Sequence, residues 1–255
     1  MYHSISDREQ RARHPYFRTA TDKRCFGNQL KWLHDSGYQS AGLSDVVGGR
    51  LAPGGADEKR VVITFDDGLQ DFYTEAFPLL ERYGYSATMF LPTAYIGTDA
   101  GPFHGAQCLT WTQVRELSGK GIHFGSHTVT HPQLTELKGK DIQEEVRRSK
   151  ETIEEKLGAR VESFAYPYAF PATDRDFKQR LQAMLEEARY ENGVCTSIGT
   201  SDAGSQRFFL PRLPVNSCDD PRLFKAKLEG GYDWLGALQY ATKLFSGGAT
   251  AESRP

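Results

Sequence analysis

Val61-Val62-Ile63-Thr64-Phe65-Asp66-Asp67-Gly68 is the stretch on which the reading of this chain turns. A short apolar, β-branched run reads as a buried strand over Val61–Phe65, and its end delivers two adjacent carboxylates into a glycine turn. Working outward, Ala87–Leu91, Ile122–Gly125, Ser163–Tyr166, Gly193–Ile198 and Phe208–Val215 read as further strands. Between them lie helical patterns over Phe26–Ser36, Phe72–Tyr83, Asp141–Leu157, Asp176–Ala188 and Tyr232–Phe245, several of them stopped by glycine. In Asp141–Leu157, Ile142, Val146, Ile153 and Leu157 form the apolar stripe, and the charges around them read as a solvated face. Strands alternating with helices predict an α/β fold with a parallel sheet, and six or seven such units in one domain predict a barrel-like closure. In such folds the chemistry sits at the C-terminal ends of the strands.

The composition narrows the function. With 255 residues and 38% hydrophobic content, the chain is long enough for one large domain. That domain is expected over residues 1–245, with 246–255 a disordered tail and Gly48–Lys59 a polar, glycine-rich loop. A net charge of −2 leaves no basic excess for phosphates, so nucleic acid is not an expected partner. Apolar runs such as Ser86–Pro92 are far shorter than the roughly 20 residues of a membrane span. The four cysteines form no C-x-x-C pair, which suggests neither a zinc cluster nor a redox motif. Met1–Ile5 lacks the basic-then-apolar pattern of a signal peptide, and a cytoplasmic location is the expectation.

Three clusters fall at strand ends. In Asp66-Asp67 one carboxylate can bind a cation while the other takes a proton from water; the alternative is a loop in which Asp caps the helix beginning near Asp71. Ser126-His127-Thr128-Val129-Thr130-His131-Pro132 holds two of the seven histidines four residues apart, a spacing that lets both imidazoles reach one divalent metal. Two imidazoles and one carboxylate leave positions open for water and substrate, as a hydrolytic site requires. Phe164-Ala165-Tyr166-Pro167-Tyr168-Ala169 by itself reads as an aromatic strand edge ended by proline.

In order, spacing and letters, Thr-Phe-Asp-Asp-Gly, then His-Thr-x-x-His, then an aromatic-Pro-Tyr segment resembles the polysaccharide deacetylase superfamily, the NodB-homology domain of carbohydrate esterase family 4. The likeness runs from about Tyr2 to Val215 and implies a single domain with a distorted (β/α)7-type barrel. It implies a metal-dependent hydrolase that removes N-acetyl groups from N-acetylated amino sugars and releases acetate. Asp66 matches the general base, and Asp67, His127 and His131 match the ligands of a divalent metal, usually zinc, with cobalt, nickel or manganese also able to accept this donor set. The backbone N–H of Tyr168 matches the group that helps hold the oxyanion. Tyr166, Pro167 and Trp111 are expected on the substrate side, together with His104 from the loop Gly101–Gln107.

The chain also departs from the commonest form of that family. Ala165 stands where an arginine usually orients the base, and Arg212, in Leu210-Pro211-Arg212-Leu213-Pro214, is the candidate replacement. No histidine follows His131, although the family often carries a late one as general acid. Tyr2-His3 resembles the N-terminal segment of a permuted branch that includes the poly-N-acetylglucosamine deacetylases, which makes His3 the expected acid. Two other readings remain at this point: a deacylase or deformylase of a small or lipid-linked substrate with the same site, and a carbohydrate-binding pseudo-enzyme. The partner expected throughout is an N-acetylated amino-sugar glycan, and the sequence says nothing of oligomeric state.

Overall fold

In the computed structural model, which describes residues 1–7, 18–49, 59–98, 101–201 and 205–246, the chain opens with two short parallel strands, β1 (Ser4–Ile5) and β2 (Ala20–Thr21). Helix α1 (Lys23–Asp35) follows, started by the Asp22 carboxylate, which accepts the Cys25 N–H at 2.9 Å. A second parallel pair, β3 (Tyr38–Ser40) and β4 (Lys59–Val61), encloses the short helix α2 (Leu43–Val47). The main sheet is five-stranded and wholly parallel, in the order β5 (Thr64–Phe65), β6 (Ala87–Leu91), β7 (Ile122–Ser126), β8 (Ser163–Ala165), β9 (Asn192–Val194). Helices α3 (Phe77–Tyr83), α4 (Trp111–Ser118), α5 (Gly139–Leu157) and α6 (Arg175–Glu187) cross over between its strands, and α7 (Pro221–Leu228) and α8 (Asp233–Ser246) close the chain.

The interior strand β6 is buried at every position, as a parallel strand covered on both faces must be. Close packing leaves no room for a side chain where Gly125 of β7 pairs with Phe90 of β6: a β-carbon there would lie 2.5 Å from the Phe90 ring and 2.9 Å from the Ser163 carbonyl oxygen. Beside β5, Tyr2, Phe26, Phe65 and Phe72 form an aromatic cluster with ring centroids 4.8–5.8 Å apart.

The sheet closes on itself through irregular chain. On one edge the Tyr2 N–H donates to the Thr64 carbonyl (2.8 Å) and the Asp66 N–H to the Tyr2 carbonyl (3.1 Å). On the other edge, Leu210 bridges Val194 in parallel. The Met1 nitrogen then donates to Leu213 O (2.8 Å) and the Val215 N–H to Met1 O (3.0 Å), which joins the two edges. Five strands and these two segments make seven staves, in keeping with a distorted barrel.

Four expectations need correction. Phe208–Val215 forms no strand, because Pro211 and Pro214 have no N–H for a ladder, and only the Leu210 bridge remains. Gly193–Ile198 is β-structured only to Val194. Val61–Phe65 is two strands: Val61 pairs with Ser40, whereas Thr64 pairs with Thr88. The helix over Phe72–Tyr83 begins as a π-helix at Phe72–Ala76, since Pro78 cannot donate to the turn before it. Residues 50–58 of the glycine-rich loop and 247–255 of the expected tail lie outside the described residues. Among the described residues no helix is long and apolar enough to cross a membrane.

Candidate active site

The ends of β5, β7 and β8 meet at one rim of the barrel. After Phe65 the Asp66 N–H still bonds to Tyr2, and the chain then turns through Asp67 (φ 73°) and Gly68 (φ 60°). A β-carbon at Gly68 would meet the terminal methyls of Ile96 and Leu91 at 2.8 and 2.9 Å in a left-handed conformation, both of which favour glycine there. The turn leaves Asp66 pointing inward at 2% exposure. Arg212 grips it with both prongs: Nη1 donates to Oδ1 and Nη2 to Oδ2, each at 2.7 Å. Its Nε donates to the Cys195 carbonyl (3.1 Å) and Nη1 also reaches Thr64 Oγ1 (3.3 Å), which fixes the plane of the guanidinium. Burial alone would raise the Asp66 pKa, but Arg212, His127 and His3 outweigh it and hold the carboxyl well below the usual range.

Asp67, His127 and His131 form the second part. Asp67 Oδ1 lies 3.6 Å from His127 Nε2 and 3.5 Å from His131 Nε2, and the three ligand atoms all lie within 4.8 Å of one another. Metal–ligand bonds of about 2.0–2.1 Å in a tetrahedron place neighbouring ligands about 3.4 Å apart, so these spacings fit one cation. The tautomer fits as well. His127 Nδ1 lies 2.8 Å from the Ala165 carbonyl oxygen, and donating there leaves the Nε2 lone pair for a metal. Burial opposes charge on His127, but the neighbouring carboxylates Asp67 and Asp66 prevail and raise its pKa. His131 is lowered to about 4, by burial first and by His127 second. Burial pushes Asp67 up, but His127 and His3 bring it below its ordinary value.

The other expected residues divide. His3 is carried beside Asp66 by the bonds of Tyr2 to β5, with Nε2 4.0 Å from Asp66 Oδ2, and it is 22% exposed. Tyr168 (φ 56°) stacks edge-on against His131 at 4.6 Å, and its carbonyl accepts the Thr196 hydroxyl at 2.8 Å. His104 and Gly105, at φ 48° and 79°, make a two-residue hairpin turn closed by reciprocal bonds between Phe103 and Ala106 (2.8 and 2.9 Å), which sets His104 on the rim. These residues, with Tyr166, line a cleft of about 650 Å³. Trp111 and Pro167 do not line it. Trp111 opens α4 and packs half-buried against the core beside Gly97, and Pro167 turns the chain between Tyr166 and Tyr168.

Sequence reasoning missed the wall made by Thr196, Ile198 and Gln239. Gln239, on α8, accepts the Ile198 N–H (3.1 Å) and donates to the Thr196 carbonyl (3.3 Å), tying the last helix to the cleft. One glutamine on a helical face gives no advance signal of this. Backbone strain gives one only after folding: of the six non-glycine residues at positive φ among the described residues, Asp67, His104, Thr128, His131 and Tyr168 belong to the site, and Arg189 does not.

The chain is similar in sequence and fold to known proteins. A family model described as polysaccharide deacetylase matches residues 54–188. Over 229 residues the chain is 32% identical to the Bacillus subtilis (strain 168) protein named "Putative polysaccharide deacetylase YxkH", covering 90% of this chain and 75% of that one. It is 31% identical over 140 residues to the poly-beta-1,6-N-acetyl-D-glucosamine N-deacetylase of Escherichia coli (strain K12), which covers 50% of this chain and only 20% of that protein. Among solved structures, the Streptococcus pyogenes deacetylase PplD in complex with acetate superposes with a TM-score of 0.76 at 25% identity, covering 89% of this chain and 95% of that one. IcaB from Ammonifex degensii shares the fold, with a TM-score of 0.70 at 22% identity over 89% of this chain and 94% of that one.

Proposed function

The chain belongs to the polysaccharide deacetylase family, and on that footing we propose that it hydrolyses the N-acetyl group of an N-acetylglucosamine-containing glycan, releasing acetate and leaving a free amine. The observation that carries this reading is the pairing of a two-histidine, one-aspartate donor set with a second, buried carboxylate held by Arg212. A pure binding module has no use for a clamped, ionised base beside a cation site. The glycan is supported by the substrate in the name of the Escherichia coli relative.

Asp67, His127 and His131 would hold a divalent cation, zinc in our reading, because two imidazoles and a carboxylate suit it. Bound there, the cation supplies Lewis acidity that polarises the amide carbonyl and makes water more acidic. Asp66 accepts the proton of the attacking water, and Arg212 keeps that carboxylate ionised and aimed. The Tyr168 N–H donates to the oxyanion as negative charge develops on it. His3, beside Asp66 and open to the cleft, gives its proton to the departing nitrogen as the C–N bond breaks.

Acetate release from N-acetylglucosamine oligomers, measured before and after chelation and after zinc is restored, tests the reading. Chelator-sensitive, zinc-restored release is expected. Asp66→Asn is expected to bind zinc as the parent does while losing nearly all turnover; an active, zinc-loaded Asp66→Asn protein would refute Asp66 as the base.

A further inference from the structure

Helix α5 presents a charged face, and all its carboxylates look from sequence like solvated surface groups. Glu145 is different. Its Oε2 accepts two successive backbone N–H groups, those of Val129 (2.7 Å) and Thr130 (2.9 Å), and its Oε1 accepts the Thr130 hydroxyl (2.7 Å). All three donors belong to the five-residue loop that carries His127 and His131.

Every backbone N–H of that loop has a partner. The His127 N–H goes to Leu91 O (3.0 Å), the Thr128 N–H to Ser126 Oγ (3.3 Å) and the His131 N–H to Thr128 Oγ1 (3.0 Å). The carbonyls of Thr128 and Val129 accept from Thr93 (3.1 Å) and Ala94 (2.9 Å), and the Thr128 hydroxyl donates to the His127 carbonyl. Ser126 Oγ lies 2.6 Å from Ser149 Oγ, which donates to the Glu145 carbonyl and so binds the loop to the same helical turn. Within this set Glu145 is the one charged partner. Its oxygen makes two neighbouring amides converge, the arrangement that otherwise marks a backbone anion site. The loop needs such a clamp because Thr128 (φ 70°), a β-branched residue, and His131 (φ 55°) both stand in the left-handed region.

We propose that Glu145 is a positioning residue that holds the His127–His131 loop in its metal-binding shape before any cation arrives. The inference rests on the metal-site reading above and adds a residue that touches neither the cation site nor the cleft. It acts by reach: the two amides must meet one oxygen at this distance from α5.

Two conservative variants separate reach from charge. Glu145→Gln loses the charge but keeps an oxygen for the two amides and an amide group facing the Thr130 hydroxyl. Glu145→Asp keeps the charge but withdraws it by one methylene. Zinc affinity of chelator-stripped protein is read by competition with a chromophoric chelator, and hydrogen exchange at Val129, Thr130 and His131 is followed in the stripped protein. Glu145→Asp is expected to lose 10- to 100-fold in zinc affinity, the range for partners that orient ligands, together with exchange protection in the loop. Glu145→Gln is expected to stay within about threefold of the parent in affinity, with protection kept. Parent-like affinity in Glu145→Asp, or a Gln variant that falls as far as the Asp variant, would overturn the inference and leave the metal site standing. A parent protein that binds no zinc, cobalt or nickel would overturn the metal site and the inference with it.

Discussion

Replacing Arg212 by methionine removes a guanidinium that is 5% exposed from a carboxylate that is 3% exposed, while keeping an unbranched side chain beside the Phe90 ring. At that depth water does not screen the pair, and stripping one partner from a buried ion pair costs about 3–5 kcal/mol. The loss should appear as a lower urea midpoint near neutral pH. Because the folded pKa of Asp66 lies below its unfolded value, the stability that its ionised form gives the parent is complete above the unfolded carboxyl pKa and fades as pH falls through it toward the folded one. Because burial raises the Asp66 pKa in the variant, the gap between parent and variant starts to narrow as pH falls through that raised value, above the ordinary carboxyl pKa of about 4. Catalysis should respond in two ways. Without the guanidinium, burial is free to raise the Asp66 pKa, so the acidic limb of the kcat/KM profile moves to higher pH. The base also loses its aim, for which a ~100-fold fall in kcat is the expected scale. Zinc affinity should stay near that of the parent, because Arg212 hydrogen-bonds Asp66, Thr64 and Cys195 rather than Asp67, His127 or His131. Arg212→Lys should fall between the two, having the charge without the fork. A methionine variant with parent-like kcat and an unmoved acidic limb would refute the argument.

Two further outcomes follow from the same geometry. His3→Ala should lower turnover by at least ~100-fold at unchanged zinc content; a near-normal rate would remove His3 from the mechanism. Gly193→Ala places a β-carbon 2.7 Å from the Phe208 carbonyl oxygen, a backbone atom that cannot swing aside, so the denaturant midpoint should report a loss of about 1–3 kcal/mol. A parent-like midpoint would show that the closing stave yields more easily than its hydrogen bonds suggest.

What could be read from sequence followed the kind of signal each element carries. Ala87–Leu91 was plain because a strand covered on both faces must be continuously apolar, and Asp141–Leu157 because its stripe keeps the helical period and stops at Gly158 (φ 67°). Strands of two or three residues, such as β1, β2 and β3, have no period to find. The closing staves misled in opposite ways: Met1–Tyr2 has no strand pattern, whereas Leu210–Val215 falls in a run that reads as a strand but joins the barrel through scattered backbone bonds in a proline-containing segment. Asp66, Asp67, His127 and His131 were visible because chemistry at a strand end leaves polar letters next to an apolar run. Arg212 was visible only by its contrast with Ala165, since nothing in Leu210–Pro214 says that its arginine turns inward.

Backbone conformation was the least legible layer, and it explains why the loop needs Glu145. A glycine at 128 or 131 would take the left-handed turn without strain, but glycine has neither the imidazole that faces Asp67 nor the hydroxyl that receives the His131 N–H. The chain therefore keeps functional side chains where the backbone favours glycine, and each such residue costs on the order of 1–3 kcal/mol. Bonds from β6, from the Thr93–Tyr95 turn and from α5 offset that cost. A site held this way presents its ligands already spaced, so the binding energy of the metal is not spent on folding the loop. That is why the separation of reach from charge at Glu145, measured on stripped protein, bears on the mechanism as directly as any rate.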